Sequence, residues 1–389
     1  MPTSSPTEAV SQTVSFAPTN FTSAIWSTAS GAFPTIPCEF SLDRCGERAT
    51  LNTETGATNC FDGAGKALVI PFRVSSQGSA TSNDKIAVFN CASLLVEQGV
   101  QFRVSGKNPV MFAVRGTATI AGQILANATG SLPGPGGFGP PSGKHQSGLG
   151  LGAGHGPSVP LQLNSCGGIS GAGGASYCGR GAPGGQVVDG GIPGAAGNLY
   201  GSQHFAPLLG GSSGGNGGVL TGAGAGGGAV HIAATTSIEI PSTGLIHAGG
   251  GGGYGGCYDG PSGAGSGGAI LLEAQTITVS GTLAANGGAG GGACDGDHGR
   301  DGTPNADRAL SNDTNYNQHL GRGGWGSGGG ILDGTMGLPP TDSYYLKCSY
   351  GAAGGGSGRI RLSGAVQIGS AAVISPHPST SCATIGALY

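Results

Sequence analysis

The chain has 389 residues, of which 85 are glycine, about three times the usual share of roughly 7%. Charged residues make up 9% and the formal net charge is −3, which fits neither a highly charged disordered chain nor a basic nucleic-acid-binding protein. The glycines do not recur at every third position, which excludes collagen. No apolar stretch approaches the roughly 20 residues that span a bilayer, so we expect no nucleic-acid partner and no transmembrane segment.

The first third of the chain divides into segments of different composition. Residues 1–35 are rich in Ser, Thr, Ala and Pro, which predicts an extended arm or linker. The start, MPTSSPTEAV, lacks the basic and apolar regions of a signal peptide, and we expect any leader to be missing from this numbering. Residues 36–92 contain four cysteines and two strand-like runs, and they are predicted to form a β cap region.

Residues 93–389 repeat a short strand–turn–strand unit. One copy reads NPVMFAVRGTATIAGQILANA at 108–128, and the clearest reads SGGAILLEAQTITVSGTLAANGG at 266–288. Aligning Gly122 with Gly281 also aligns Asn127 with Asn286 without a gap. Further copies begin near residues 228 and 358.

Each unit shows the alternation of a half-buried strand, with Ile277 and Val279 between threonines. Strands this short need neighbours to bury their apolar face. The sequence therefore predicts an all-β fold, a parallel β-solenoid or β-helix with long glycine-rich loops. These loops are either floppy or extended polyglycine-II-like runs packed against one another.

The two quoted repeats resemble a broad group of secreted glycine-rich repeat proteins, in which strand–turn–strand units alternate with glycine tracts. The resemblance covers roughly 90–389. It implies an extracellular or cell-surface location and carries no defined activity or functional residues.

Ten cysteines, an even number without zinc-site spacing, indicate a disulfide framework and an extracellular compartment, although reduced thiols are the alternative. Cys257 and Cys294 lie in equivalent loops, so a bridge between them is plausible. The candidates are Cys38, Cys45, Cys60, Cys91, Cys166, Cys178, Cys257, Cys294, Cys348 and Cys382. Candidate glycosylation sequons begin at Asn20, Asn127 and Asn312.

A polar loop supplies the one candidate metal site. Asp295, Asp297 and Asp301 alternate with other residues on a glycine-rich loop, and such oxygens can surround Ca²⁺. The same residues equally suit a solvated turn. No other cofactor is predicted.

Motifs for catalysis are weak. Ser213 matches G-x-S-x-G, but no amphipathic helix follows to build the required elbow. Glu239 and Glu273 are the strand carboxylates, and the alternation predicts that both face solvent. His231 and His247 are likewise predicted to face outward without binding metal. We therefore predict that the protein is not an enzyme.

Aromatic residues cluster near 254–258 and 316–350, as in carbohydrate-binding and self-association surfaces, or in a small core over glycine backbone. The candidates for surface binding are Tyr254, Tyr258, Trp325, Tyr344 and Tyr345.

Three functions compete. The first is a secreted structural or adhesive surface protein that self-associates into an oligomer, fibre or matrix through its open ends and its N-terminal arm. The second is a carbohydrate-binding or polysaccharide-cleaving β-helix. The third is ice binding by a threonine row at Thr276, Thr278 and Thr282.

Overall fold

The regular structure is almost entirely strand. The computed structural model describes residue 19 and residues 36–77, 85–159, 168–187, 191–218, 222–256, 259–293, 298–311, 321–339 and 350–388. One helical turn, α1 (Leu42–Cys45), follows the first strand. The strands are β1 (Cys38–Phe40), β2 (Arg48–Asn52), β3 (Phe72–Ser76), β4 (Lys85–Cys91), β5 (Leu94–Val96), β6 (Gln101–Ser105), β7 (Val110–Val114), β8 (Thr117–Ile120), β9 (Gln123–Leu125), β10 (Ala229–Ile240), β11 (Leu245–His247), β12 (Ala269–Val279), β13 (Thr282–Ala284), β14 (Arg359–Ile368), β15 (Val373–Ser375) and β16 (Ala383–Gly386).

Ten strands form the larger sheet, in the order β1-β5-β8-β10-β12-β14-β16, with β7, β4 and β3 extending it beside β10. β10 is long enough to pair with β7 along its first half and with β8 along its second. All pairs in this sheet are parallel except the β3–β4 hairpin.

The smaller sheet has six parallel strands in the order β15-β13-β11-β9-β6-β2. Gln123, Leu245 and Thr282 lie side by side in it, so the predicted alignment of Gly122 with Gly281 is confirmed. A Cβ at Gly281 would overlap the carbonyl oxygen of Gly244. Successive copies of the repeat therefore come into main-chain contact at Gly281, because glycine has no side chain.

The main hydrophobic core packs side chains of both sheets into one cluster. Ile277 and Val279 are buried while Thr276 and Thr278 are exposed, which confirms the predicted alternation. Phe102 of the smaller sheet and Phe112 of the larger sheet meet in this cluster with ring centroids 6.0 Å apart.

The glycine tracts between the strands form a separate layer, here called the glycine bundle: the described parts of residues 130–228, 249–268, 287–339 and 350–358. Their main-chain N–H groups donate to other tracts, and residues three apart donate to the same neighbour. For one tract the bonds are Gly171 N to Gly185 O, Gly174 N to Ala182 O, Ala172 N to Pro261 O, Ala175 N to Ala264 O, Gly173 N to His155 O and Ser176 N to Gly152 O.

This period of three is that of an extended helix without internal hydrogen bonds. A chain in that conformation presents donors on three sides, so each tract can join three neighbours. The approach is close: a Cβ at Gly174 would overlap the carbonyl oxygen of Gly354. Most residues of the bundle are buried, and its cohesion comes from main-chain hydrogen bonds rather than from apolar side chains.

The predicted parallel β-solenoid is wrong. The strands form two parallel sheets of ten and six strands, and their connections do not have the near-constant length of stacked coils. β9 ends at Leu125 and β10 begins at Ala229, whereas β11 ends at His247 and β12 begins at Ala269. Glycine runs carry no side-chain pattern, so the sequence could not show that these connections pair with distant tracts.

Three disulfides join predicted cysteines: Cys38–Cys91, Cys45–Cys60 and Cys178–Cys382. In the described part of the chain no cysteine is free. The other candidates, Cys166, Cys257, Cys294 and Cys348, lie outside the described residues, and so does the suggested bridge between two of them. The division at residues 35 and 92 stays a prediction, and the arm is described only at Thr19.

Candidate functional site

A surface cleft of about 420 Å³, here called the Trp325 cleft, adjoins a loop that an isolated bridge closes between Gly299 and Ser311. Trp325 is 46% exposed and Leu310 is 42% exposed. Concave sites that combine a few polar groups with aromatic surface are typical of small-ligand sites. The lining residues are Arg300, Thr303, Asp307, Arg308, Leu310 and Trp325.

Arg308 holds its guanidinium over the indole ring of Trp325, with Cζ 5.6 Å from the ring centroid. Its Nε donates to the carbonyl of Gly326 at 2.7 Å, and Nη2 donates to the carbonyl of Asp333 at 3.2 Å. Burial lowers the pKa of Arg308 from its ordinary value, but a guanidinium stays charged at neutral pH. The cation is therefore fixed beside the exposed aromatic ring.

Asn286 anchors the loop that lines the cleft through side-chain hydrogen bonds. Its Nδ2 donates to the carbonyls of Thr303 at 2.9 Å and Asn305 at 2.7 Å, and its Oδ1 accepts a bond from Ser375 Oγ at 2.5 Å. The Thr303 hydroxyl donates to the carbonyl of Asp307. These bonds fix the loop before any ligand arrives.

Sequence reasoning identified Trp325 as a surface candidate but missed Arg300, Asp307 and Arg308. The available signal was two arginines and two aspartates within the nine residues 300–308 of a chain that has few charges. Their approach to Trp325 depends on pairing within the glycine bundle, as in the bond from Gly326 N to the carbonyl of Ala309. Sequence spacing does not show that pairing.

A buried histidine–glutamate pair lies on the face of the larger sheet opposite the main core. His231 on β10 and Glu273 on β12 are 0% and 3% exposed, with Nε2 2.8 Å from Oε2. The prediction that both side chains face solvent is wrong, because Tyr177 and Phe205 of the glycine bundle pack on this face. Glu239 is exposed as predicted.

Thr19 of the N-terminal arm completes the surroundings of Glu273. Its main-chain N–H donates to Oε2 at 3.0 Å and its hydroxyl donates to Oε1. Burial raises the pKa of Glu273, but the hydrogen bonds from His231 and Thr19 outweigh it and hold the pKa below its ordinary value. Among the described residues none bonds to His231 Nδ1. A histidine–carboxylate pair can act as a general base, but burial separates this one from solvent.

A second buried histidine joins the smaller sheet to the glycine bundle. His247 on β11 is 5% exposed, and its Nε2 lies 2.9 Å from the carbonyl of Gly302. Burial, reinforced by the charge of Arg103, lowers its pKa to about 4 despite the hydrogen bond to Gly302. The outward position predicted for His247 is therefore wrong, and the ring is a neutral donor at physiological pH.

The candidate calcium ligands do not appear together in the described structure. Asp295 and Asp297 lie outside it. Asp301 Oδ1 accepts main-chain bonds from Gly130 at 2.9 Å and Gly252 at 2.8 Å, so this carboxylate ties tracts of the bundle together. Within the described residues no group of three suitable side chains could hold a metal ion.

The remaining candidates are only partly described. Tyr254 is 36% exposed and its ring lies 4.3 Å from that of His298. Asn127 is buried and its Nδ2 donates to the carbonyl of Ala128 at 2.8 Å. The candidates outside the described residues are Tyr258, Tyr344, Tyr345, Asn20 and Asn312.

The N-terminal end of the smaller sheet is covered. Asn59 mimics a neighbouring strand on the outer edge of β2: Thr50 N donates to its Oδ1 at 2.8 Å, and its Nδ2 donates to the carbonyl of Arg48 at 2.7 Å. Cys45–Cys60 fixes this turn. Covering an edge in this way prevents pairing with another chain.

At the C-terminal end, both sheets have strand segments that lack a neighbour on their outer side in the described structure. β16 pairs with β14 only over residues 360–363, and no strand in the described structure pairs with the outer side of residues 365–368. Ile368 is 43% exposed there, and Ile385 of β16 is 50% exposed. β15 ends the smaller sheet and pairs with β13 alone. We call residues 365–368 together with β15 the open C-terminal edge.

Comparisons with protein-family models, with curated proteins and with solved structures each find no match for this chain. Over the described ranges, no helix has the length and apolar character needed to cross a bilayer. The function must therefore be argued from the geometry of the chain itself.

Proposed function

We propose that this chain is a secreted structural or adhesive surface protein that associates with a second copy of itself through the open C-terminal edge. The observation that carries the proposal is the contrast between the ends of the sheets. An unpaired edge with exposed isoleucines favours strand addition, whereas the Asn59 turn and Cys45–Cys60 cover the outer edge of β2 at the other end of the smaller sheet. The same edge on two copies pairs with itself across a two-fold axis, which forms a closed dimer.

The extracellular part of the proposal rests on the disulfides. Three bridges in one chain are uncommon in a reducing compartment. We expect the protein from its natural source to be recovered outside the cell, with the three bridges found by peptide mapping without reductant. Recovery from the cytosol with reduced thiols would contradict the proposal.

Self-association is tested by sedimentation of the purified chain over a wide range of concentration. We expect a dimer that Ile368→Lys and Ile385→Lys both convert to monomer, because a charge on an edge opposes pairing. Val69→Lys is the matched control, since Val69 is 75% exposed in the region near the covered end. A wild-type chain that stays monomeric at every concentration would overturn the proposal.

We propose a non-catalytic role, because the His231–Glu273 pair is buried beneath the bundle and the arm. A reducing-sugar assay on a panel of polysaccharides should detect no cleavage. Cleavage that His231→Gln abolishes would refute this part of the proposal.

Glycan binding is the second candidate function, and the Trp325 cleft favours it. Ice binding has less support. Thr278 is flanked in the sheet by Glu239 and Gln367, so the neighbouring strands do not continue a flat threonine row.

A further inference from the structure

We propose that the N-terminal arm regulates self-association: Glu273 anchors the arm at Thr19, and the segment before Thr19 competes with a second copy for residues 365–368 of the open C-terminal edge. The inference rests on the proposed self-association through that edge, and it adds how the association is controlled. It is independent of the Trp325 cleft.

The anchor consists of two hydrogen bonds from one residue to a carboxylate. Thr19 donates its main-chain N–H to Glu273 Oε2 at 3.0 Å and its hydroxyl to Oε1. Glu273 is 3% exposed, and a third bond joins it to His231 at 2.8 Å. A buried carboxylate is costly unless such donors satisfy it. Glu273 therefore holds the arm at Thr19.

The position of Glu273 brings the arm close to the open C-terminal edge. Glu273 lies on β12 opposite Ser363 of β14. The pairing of β14 with β16 ends at Ser363, and the unpaired part of β14 begins two residues further on. Neighbouring strands are about 4.8 Å apart and residues advance about 3.3 Å along a strand, so Thr19 is held roughly 10 to 15 Å from this edge.

The sequence before Thr19 has a length and a pattern that fit the edge. Residues 13–16 read TVSF, and alternation of polar and apolar side chains is typical of a strand with one exposed face. They end three residues before Thr19, a span of roughly 10 Å. The unpaired part of β14, residues 365–368, is also four residues long, and Ile368 offers it an apolar side chain that is 43% exposed.

The anchored segment has an advantage over a second copy because it is tethered. A strand added to an edge uses the main-chain groups of that edge, so only one of the two competitors can occupy it. A short tether gives an effective concentration in roughly the millimolar range, whereas a second copy competes at its concentration in solution. The tethered segment therefore occupies the edge until the anchor is released.

Release of the anchor lengthens the tether. With Thr19 bound, three residues separate Phe16 from its point of attachment, whereas without it the attachment is β1, which begins at Cys38. The effective concentration of a tethered segment falls with about the 3/2 power of tether length. The advantage of the arm should then drop about tenfold or more, and the edge becomes available to a second copy.

Sedimentation of full-length variants tests the competition. Thr19→Val removes the hydroxyl from the anchor, and Val14→Asp places a charge in the competing segment, which opposes strand pairing. We expect each substitution to tighten the dimer about tenfold. Thr50→Val is the matched control, because Thr50 is exposed on β2 near the covered end, and it should leave the dimer unchanged.

Hydrogen exchange examines the edge without requiring a dimer. At a concentration where the chain is monomeric, the amides of residues 365–368 should exchange about tenfold faster in Thr19→Val and Val14→Asp than in the wild type. They should exchange at the wild-type rate in Thr50→Val. Unchanged exchange of the β10 amides in all four proteins shows that the variants are folded.

The outcomes separate the role of the arm from the self-association itself. If the wild type and every variant stay monomeric, the self-association through this edge fails, and the exchange rates at residues 365–368 decide whether the arm covers it. Equal exchange rates in the wild type, Thr19→Val and Val14→Asp would overturn the role of the arm. A dimer that Thr19→Val weakens would also overturn it, because the arm would then strengthen the contact between copies.

Discussion

The two sheets and the glycine bundle are both buried, but different forces hold them together. In the sheets, side chains such as Leu272 and Phe112 fill a shared core, and each strand bonds to neighbours on no more than two sides. In the bundle, tracts bond to neighbours on three sides through their main chains. The packing of the sheets depends on the volume of their side chains. The packing of the bundle depends on glycine, which has no side chain.

This difference determines how each region responds to substitution. A core of side chains tolerates changes of shape if the volume is kept, and it loses stability when the volume falls. A bundle of close-packed main chains has no spare volume, so added atoms must displace carbonyl groups and break hydrogen bonds. Larger side chains should harm the bundle, and smaller ones should harm the sheets.

The largest effect is expected for Gly174→Ala in the bundle. The new Cβ would overlap the carbonyl oxygen of Gly354, and we expect the free energy of unfolding to fall by about 4 kcal/mol or more. Urea denaturation with the disulfides intact measures it, and loss of soluble yield has the same meaning. Gly63→Ala is the control, since no atom lies within 4 Å of the position that its methyl group would take, and it should cost less than about 1 kcal/mol.

A Gly174→Ala protein as stable as the control would show that the bundle is loosely packed. The distinction between the two regions would then fail.

The next effect is expected for Leu272→Ala in the main core. Leu272 is 0% exposed, and removing its side chain should lower the free energy of unfolding by about 3 kcal/mol through lost burial and a cavity. Leu272→Met keeps most of the volume and should cost less than about 1.5 kcal/mol. The same urea experiment measures both. If methionine were as harmful as alanine, the sheets would be as intolerant of shape as the bundle.

The sequence predicted the sheets better than the bundle for the same physical reason. Alternation along β12 marks Ile277 and Val279 as buried, because side chains carry that information. The partners of a glycine tract are determined by main-chain hydrogen bonds. Those bonds do not depend on side chains, so the residue types do not show which tracts pair. Hence the solenoid prediction was wrong, and the burial of His231 and Glu273 beneath Tyr177 and Phe205 could not be foreseen.

The residues of the Trp325 cleft likewise differ in how well the sequence predicts them. Trp325 is visible in the sequence as an aromatic residue flanked by glycine. Its neighbour Arg308 comes from a different tract, joined to it by the bond from Arg308 Nε to the carbonyl of Gly326. Only the packed bundle brings the two together.

The smallest effect is a pH dependence at His247, where the smaller sheet meets the bundle. Burial lowers the folded-state pKa from 6.5 to about 4, so between these values the unfolded chain binds a proton that the folded chain does not. The stability that this group contributes is therefore full above about pH 6.5 and is lost as the pH falls toward 4. We expect a loss on the order of 2 kcal/mol, measured by urea denaturation at pH 7 and pH 4.5.

His247→Gln separates this term from the carboxylates that also titrate in acid. Glutamine can still donate to the carbonyl of Gly302 but binds no proton, so its loss of stability between the two pH values should be smaller than that of the wild type. Glu273 acts in the same direction only at lower pH, because its pKa lies below its ordinary value. Equal pH dependence in wild type and variant would mean that His247 titrates freely. The contact between sheet and bundle at Gly302 would then be open to water rather than packed, and the smaller sheet would depend on the bundle less than its burial indicates.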